Sequence, residues 1–393
     1  MISKDLWKRT GSFLAGLLLF LILNACAWTP AALAQISDVS SLEEEQAKEK
    51  IELEKMKEEI KGVKSTMSES MQAMGRLGAQ LSRPPVREFH LVAKEAVWEL
   101  FPGNGVEAMT YNGQTPGPVI AVEEGDQVRV VLHNQLKVPT SLYFHGLILP
   151  HSVDGLPRQK EGLIGPGESY AYQFVANQPG TFWYHPQVIH AEQQTRGLFG
   201  ALVVKPRSAA PTYERELTMV IGQFAVVPQS AMMSGTTTKN VRAARTPPGK
   251  AAGSGQAPNV VLANIGLLPP AAVTYFTING KAAPAIPPVD LNKGERVRLR
   301  VINAGQQVCP LYLSGHRWQI VAMNGCDLSQ DRLVCDSLAI QPGERYDLEF
   351  TADNPGVWSL SSLLAAQTTN NGKFPGGIAV VVRYPDSRNS SGR

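Results

Sequence analysis

The sequence predicts an all-β chain of two tandem Greek-key β-sandwiches preceded by an N-terminal coiled-coil-like helix. Three observations carry this expectation. The 35 glycines and 28 prolines cut most of the chain into short apolar stretches rich in Val, Ile, Leu and aromatics, the pattern of strands joined by tight turns. Residues 41–82 instead lack proline and aromatics and are rich in Glu, Lys and Met. Beyond them, turn and strand markers recur at a nearly constant offset, the signature of one fold used twice.

Taken in order, residues 1–34 read as an export signal. Lys4, Lys8 and Arg9 precede an apolar run over 13–23, and the segment closes on an Ala-x-Ala pattern at Ala34, as signal peptidase substrates do. Leu23-Asn24-Ala25-Cys26 opens a second reading, lipidation at Cys26, and an uncleaved anchor is a third. All three place the rest of the chain outside the cytoplasm, periplasmic or secreted. Membrane attachment is expected only through Cys26 or an uncleaved signal.

Residues 41–82 carry Leu53, Ile60, Met67, Met74 and Leu81 at position a of a heptad and Met56, Val63, Ser70 and Leu77 at d, about four heptads in all. One reading is an oligomerising stalk. The other is a single amphipathic helix, because Gly62, Gly75 and Gly78 each weaken a helix by roughly 1 kcal/mol relative to Ala. Arg83-Pro84-Pro85 then stops the helix, since proline removes a backbone donor and clashes with the preceding turn.

From residue 86 the pattern becomes strand and turn, with strands expected at 88–92, 96–100, 128–132, 141–149 and 170–175. Gly125 in Glu124-Gly125-Asp126 and Gly294 in Lys293-Gly294-Glu295 lie 169 residues apart; Pro166-Gly167-Glu168 and Gln178-Pro179-Gly180 recur 176 residues on as Pro342-Gly343-Glu344 and Asn354-Pro355-Gly356. The sandwiches are therefore placed at 86–207 and 212–386. Between them, 230–258 is rich in Gly, Ala, Thr and Pro and carries Lys239, Arg242, Arg245 and Lys250, the composition of a basic surface loop.

A net charge of +3 implies no nucleic-acid or membrane-surface partner. Four cysteines, Cys26, Cys309, Cys326 and Cys335, make neither a disulfide framework nor a CxxC zinc site. Cys326 and Cys335 flank a short hairpin-like segment and, in an oxidising compartment, could form one disulfide; the sequence leaves this open. Cys309 is either a member of that pair or a buried thiol behaving as a small hydrophobe. His90, His133 and His151 read as surface or structural.

Several motifs are more specific. They are Tyr111-Asn112-Gly113-Gln114-Thr115-Pro116-Gly117-Pro118, Phe144-His145-Gly146, Asp154-Gly155, Gly197-Leu198-Phe199-Gly200, Phe276-Thr277-Ile278-Asn279-Gly280-Lys281 and Pro342-Gly343-Glu344-Arg345-Tyr346-Asp347. Together they resemble the multicopper oxidases of the cupredoxin superfamily over nearly all of 87–384. The resemblance implies two cupredoxin-like sandwiches and, in a working relative, a type 1 copper held by two His and a Cys thiolate, often with an axial Met. It also implies three further coppers held by His-x-His pairs. In a strand, residues i and i+2 share a face, so each such pair aims two imidazoles at one site.

On that resemblance, the first pair is Tyr143 and His145 and the second His185 and Gln187, one imidazole of two in each. In the second copy the ligand positions fall on Cys309, Tyr312 and Ser314. The segment carrying the type 1 cysteine falls on Ser361-Ser362-Leu363 and the axial methionine on Ile378. His316 survives, at a position the family does not generally use as a ligand. The resemblance extends to the trimeric copper nitrite reductases, where His145 and His185 match two ligands of a mononuclear copper. There Pro186 stands for the type 1 cysteine, Tyr143 for the proton-relay aspartate, and the third ligand falls near Leu363.

Two functions from different classes are therefore expected. The leading one is a non-catalytic, exported binding or scaffolding protein of the cell envelope, a pseudoenzyme without cofactor that engages an envelope protein partner. The other is a copper-binding oxidoreductase or copper-handling protein with a residual mononuclear metal site at His145 and His185. Its third ligand would come from His190, Tyr143 or another subunit. The stalk implies a homo-oligomer, a trimer by analogy with the reductases.

Overall fold

The computed structural model describes residues 39–81, 86–150, 153, 163–187, 190–208, 212–227, 259–261, 272–328 and 332–385. The expected export signal with Cys26, the basic loop 230–258, His151 and Asp154-Gly155 lie outside the described residues. The chain divides into two units at residue 83.

The first unit contains helix α1 (Val39–Leu81). Its described side chains, residues 44 and 47–72, are all exposed. No helix among the described residues is long and apolar enough to cross a membrane.

The second unit is built from strands. The first copy consists of β1 (Val86–Phe101), β2 (Asn104–Tyr111), β3 (Gly117–Glu123), β4 (Gln127–Asn134), β5 (Tyr143–His145), β6 (Ser169–Val175), β7 (Gly180–His185) and β8 (Gly200–Lys205), with the short helix α2 (His190–Thr195) between the last two. The second copy runs through β9 (Arg215–Val227), β10 (Asn259–Val261), β11 (Val273–Ile278), β12 (Val289–Asp290), β13 (Arg296–Asn303) and β14 (Cys309–Leu313). It continues with β15 (Trp318–Met323), β16 (Cys326–Asp327), β17 (Val334–Cys335), β18 (Ser337–Ile340), β19 (Arg345–Thr351), β20 (Val357–Ser362) and β21 (Ala379–Arg383).

The repeat holds pair by pair. β1 runs parallel to β4 as β9 does to β13, and β4 is antiparallel to β6 as β13 is to β19. β7 and β8 correspond likewise to β20 and β21. The turns match because they demand the same backbone: φ is +82° at Gly167 and +83° at Gly343, and +57° at Asn112 and +50° at Asn279. Asparagine and glycine tolerate this left-handed region at little cost. Two buried asparagines 169 residues apart also play one role: the Asn134 amide donates to the Val138 and Ile164 carbonyls, and the Asn303 amide to those of Gln307 and Ile340.

β1 is one 16-residue strand where the sequence suggests two. Its first half pairs with β4 and its second half with β2, the change of partner falling at Ala93. The expected strand at 141–149 shortens to Tyr143–His145, because Gly146 turns the chain at φ +95°.

Both copies contribute to a 12-stranded sheet, ten strands along the path β16-β15-β19-β13-β9-β10-β2-β1-β4-β6 with β11 paired to β9 and β17 to β15 off it. The smaller sheets β3-β8-β7-β5 and β12-β21-β20-β14-β18 complete the sandwiches. One core gathers Leu91, Tyr111, Phe144, Phe182, Tyr184 and Leu202, the other Ile221, Leu299, Leu311, Trp318, Leu348 and Ile378. Alternation along the strands sends these side chains inward.

Between the copies, Trp183, Phe199 and Ala201 pack on Val220, Ile302 and Ala304. A polar clamp sits beside them. Asp347, 1% exposed, accepts from Thr181 Oγ1 at 2.5 Å on one oxygen, and from Arg298 Nη2 and Arg300 Nη1 at 2.6 Å each on the other. Arg300 also donates to Glu216 at 3.2 Å. Removing the carboxylate leaves two guanidinium groups without their shared counter-charge, so Asp347→Ala is expected to cost about 3–5 kcal/mol in urea unfolding. A loss within about 0.5 kcal/mol, the range of a neutral surface change, would discount the clamp.

Candidate functional site

The first cluster is built by β5 and β7. Tyr143 pairs across the strands with His185 and His145 with Trp183, so these four rings share one face while Phe144 and Tyr184 enter the core. The His145 and Trp183 rings stack with centroids 5.0 Å apart, and Trp183 lies 4.1 Å from the His185 ring. His185 is 2% exposed and His145 is half-buried. Buried among the rings, Trp183 Nε1 has no hydrogen-bond partner among the described residues.

Elimination assigns the protons. His185 Nδ1 lies 2.9 Å from the Pro186 carbonyl, which can only accept, so that nitrogen carries the proton. In the neutral ring Nε2 is then an acceptor, and it lies 3.2 Å from His145 Nδ1, which donates to it. A metal held by both nitrogens would require His145 to move this proton to its other nitrogen.

The spacing itself suits a metal, since two nitrogens each about 2.0–2.1 Å from an ion lie roughly this far apart. The His185 N–H to carbonyl bond is also of the kind that orients metal-bound histidines. Donor number is the limit: no group of three His, Cys, Asp or Glu side chains able to hold a metal occurs among the described residues. Tyr143 lies edge-on to both imidazoles. The Gln187 backbone N–H donates to Ser141 Oγ at 3.1 Å. His190 opens α2, but its side chain lies outside the described residues.

The second cluster lies in the core of the second copy. β14 and β20 bring Leu311 opposite Ser362 and Tyr312 opposite Ser361. Cys309, Ser362, Gln367 and Ile378 are buried. Ser362 Oγ donates to Gln367 Oε1 at 2.7 Å and accepts from Leu364 N–H at 3.1 Å. Gln367 Nε2 donates to the Val308 carbonyl at 2.8 Å, and Ile378 N–H to the Gln367 carbonyl at 2.7 Å. Burial pushes the Cys309 thiol up to about 12, against a smaller lowering by its hydrogen bond with Ser362.

A protonated thiol, an alcohol, an amide and an alkyl group do not fit type 1 copper, which takes two imidazoles and a thiolate. Gln367 escaped sequence reading because it sits in a short turn of 3-10 helix, Ala365–Gln367, with no flanking periodicity to mark it. Leu363 projects outward, 58% exposed.

Among the described residues, the side chains of His316, His90 and His133 have structural partners. His316, 6% exposed, lies with Nδ1 3.1 Å from the Ser314 carbonyl and Nε2 2.7 Å from the Tyr384 hydroxyl. His90 and His133 stack on the outer sheet face, 3.2 Å apart between Nδ1 and Nε2, with Glu88 and Ser169 at the chain's two ends.

Cys326 and Cys335, whose pairing the sequence leaves open, are free thiols, as is Cys309. Cys335 pairs with Trp318 and Cys326 with Met323, at opposite ends of β15. At about 3.4 Å per residue that is about 17 Å, well beyond the roughly 4.4–6.8 Å that a disulfide spans between Cα atoms.

Residues 94–209 and 222–384 match two sequence profiles, each described as multicopper oxidase. The chain belongs to the multicopper oxidase family, and its fold is cupredoxin-like. The multicopper oxidase MmcO of Mycobacterium tuberculosis is 30% identical over 66% of this chain and 50% of its own length. A copper resistance protein A homolog of Pseudomonas syringae is 31% identical over 63% of this chain and 44% of its own. The chain thus spans about half the length of these curated relatives. The blue copper oxidase from Nitrosomonas europaea superposes with a TM-score of 0.62 at 30% identity, covering 76% of this chain and 86% of that one.

The Cys309 environment makes a chemical prediction. A thiol-alkylating reagent at about pH 8, near the ordinary cysteine value, should label exposed Cys326 and leave Cys309 unmodified until urea unfolds the chain, read by peptide mass spectrometry. Because only folding raises this thiol, its contribution to stability is whole below the ordinary value of 9.0 and is lost as pH rises through about 12. Buried Tyr111, Tyr172 and Tyr184 are raised by burial and act in the same direction. Urea midpoints should therefore fall over that range, less steeply in Cys309→Ala.

Proposed function

We propose that this protein is an exported, non-catalytic binding or scaffolding protein of the cell envelope, on a multicopper oxidase fold whose type 1 and trinuclear copper centres have been replaced. The observation that carries the reading is the buried cluster of Cys309, Ser362, Gln367 and Ile378. An electron-accepting copper needs a deprotonated thiolate, and here the thiol is held protonated beside a closed set of hydrogen bonds. Without that entry point, electrons have no path to a dioxygen-reducing cluster. What remains is a rigid double sandwich whose loops present apolar surface, with Ile148 85%, Leu363 58% and Phe374 75% exposed, for an envelope protein partner.

Copper loading tests this reading directly. Protein incubated with Cu(II) and dialysed is expected to stay colourless and to consume no dioxygen with a phenolic reductant. An intense blue colour would overturn the proposal.

The imidazole pair favours a second reading, a copper-handling or oxidoreductase role through a mononuclear site at His145 and His185. The 3.2 Å spacing and the oriented His185 ring support it. It predicts one copper per chain by elemental analysis, with affinity falling at least about tenfold in His145→Ala, as loss of a metal ligand or its support does. Binding unchanged in that variant, or no binding by the unsubstituted protein, would leave the first reading alone.

A further inference from the structure

Helix α1 carries an apolar seam that is exposed along its described side chains. Leu53, Met56, Ile60, Val63 and Met67, the a and d positions of its middle heptads, are 49%, 50%, 54%, 59% and 60% exposed. The glycines do not interrupt this row: Gly62 falls at c, Gly75 at b and Gly78 at e of the same frame. They weaken the isolated helix by roughly 1 kcal/mol each, so a helix of this composition relies on what covers its seam.

The charges beside the seam specify the cover. Position g is Glu52 and then Glu59, and position e is Lys57 and then Lys64. In a parallel, in-register association each g residue faces the e residue of the next heptad on the neighbouring helix. Glu52 then meets Lys57 of the partner subunit, and Glu59 meets Lys64 of the partner subunit. In an antiparallel pair, e would face e and g would face g, setting lysine against lysine and glutamate against glutamate. Lys57 binds Glu54 of its own helix at 2.6 Å, an exposed i,i+3 pair; such pairs are worth only about 0.3–0.5 kcal/mol and yield readily to a new partner.

We infer that α1 joins this chain to further copies of itself in a parallel, in-register helical bundle, with Glu52 and Glu59 against Lys57 and Lys64 setting orientation and register. The inference does not depend on the copper sites or on the reading of their loss.

Charge reversal tests it on the full chain by light scattering. The unsubstituted protein should run as an oligomer. Lys57→Glu with Lys64→Glu, and separately Glu52→Lys with Glu59→Lys, should each fall to the monomer mass, and an equal mixture of the two variants should regain the oligomer mass. An antiparallel assembly would retain its mass in both variants, since like charges face each other before and after reversal. As an independent readout, Gln46→Cys places a thiol at an a position near the start of the helix. Parallel copies should give an oxidative cross-link absent from the unsubstituted protein. In an antiparallel pair centred near residue 60 these thiols lie about 42 Å apart, at about 1.5 Å per residue. A monomeric unsubstituted protein, full mass in both charge variants, or no cross-link would each overturn the inference.

Discussion

The carboxylate of Asp347 is the point on which the two sandwiches turn. It is almost wholly buried and sits on β19 of the second copy. It binds Arg298 and Arg300 of β13 and reaches across to Thr181 of β7. Buried charge is costly unless paired and hydrogen-bonded, and here both conditions are met within one network. Thr181 lies on the strand that ends at His185, so the second copy fixes the strand that carries the first cluster. Close backbone approach supports the same contact: a side chain on Gly180 would press on the Gly325 backbone, and one on Gly146 would strike the Arg345 guanidinium.

The two clusters differ in how they meet the demands of burial. Around Cys309 the groups are neutral and mutually satisfied. Ser362 and Gln367 complete each other's hydrogen bonds and the chain ends on a backbone carbonyl, as buried polar groups require. Around His145 and His185 two titratable rings remain, ordered by a carbonyl and by each other, with an indole N–H beside them that has no described acceptor. The Cys309 cluster is thus a closed, neutral part of the second core. The His145–His185 cluster instead sets two imidazole nitrogens 3.2 Å apart.

Much of the fold was legible because turns are written in residues with few alternatives. Asn112-Gly113 and Asn279-Gly280 adopt positive φ in both copies, and the repeated Pro-Gly-Glu turns lead into matching strands. The helix was legible from its spacing to within two residues at either end. The length of β1 was not, because alternation cannot show that a strand changes partner midway. Pairing of Cys326 with Cys335 looked natural from their separation, yet both flank β15 at its two ends, a relation that only register reveals. Of the candidate site, His145 and His185 were read correctly as neighbours, whereas Gln367 and the Asp347 clamp depend on contacts between distant segments.

The long sheet changes character at its middle. Ladders of seven or eight residue pairs hold β1 to β4 and β9 to β13, whereas β10 contributes two pairs to β9 on one side and two to β2 on the other. Ladders this short contribute few hydrogen bonds between the copies, whose cohesion rests instead on Trp183, Phe199 and Ala201 packed on Val220, Ile302 and Ala304. Beside that packing the Asp347 carboxylate adds a polar tie, reaching Thr181 of the first copy from β19 of the second. The backbone sheet is thus continuous from one copy to the other, while side chains supply most of what binds the two copies at its middle.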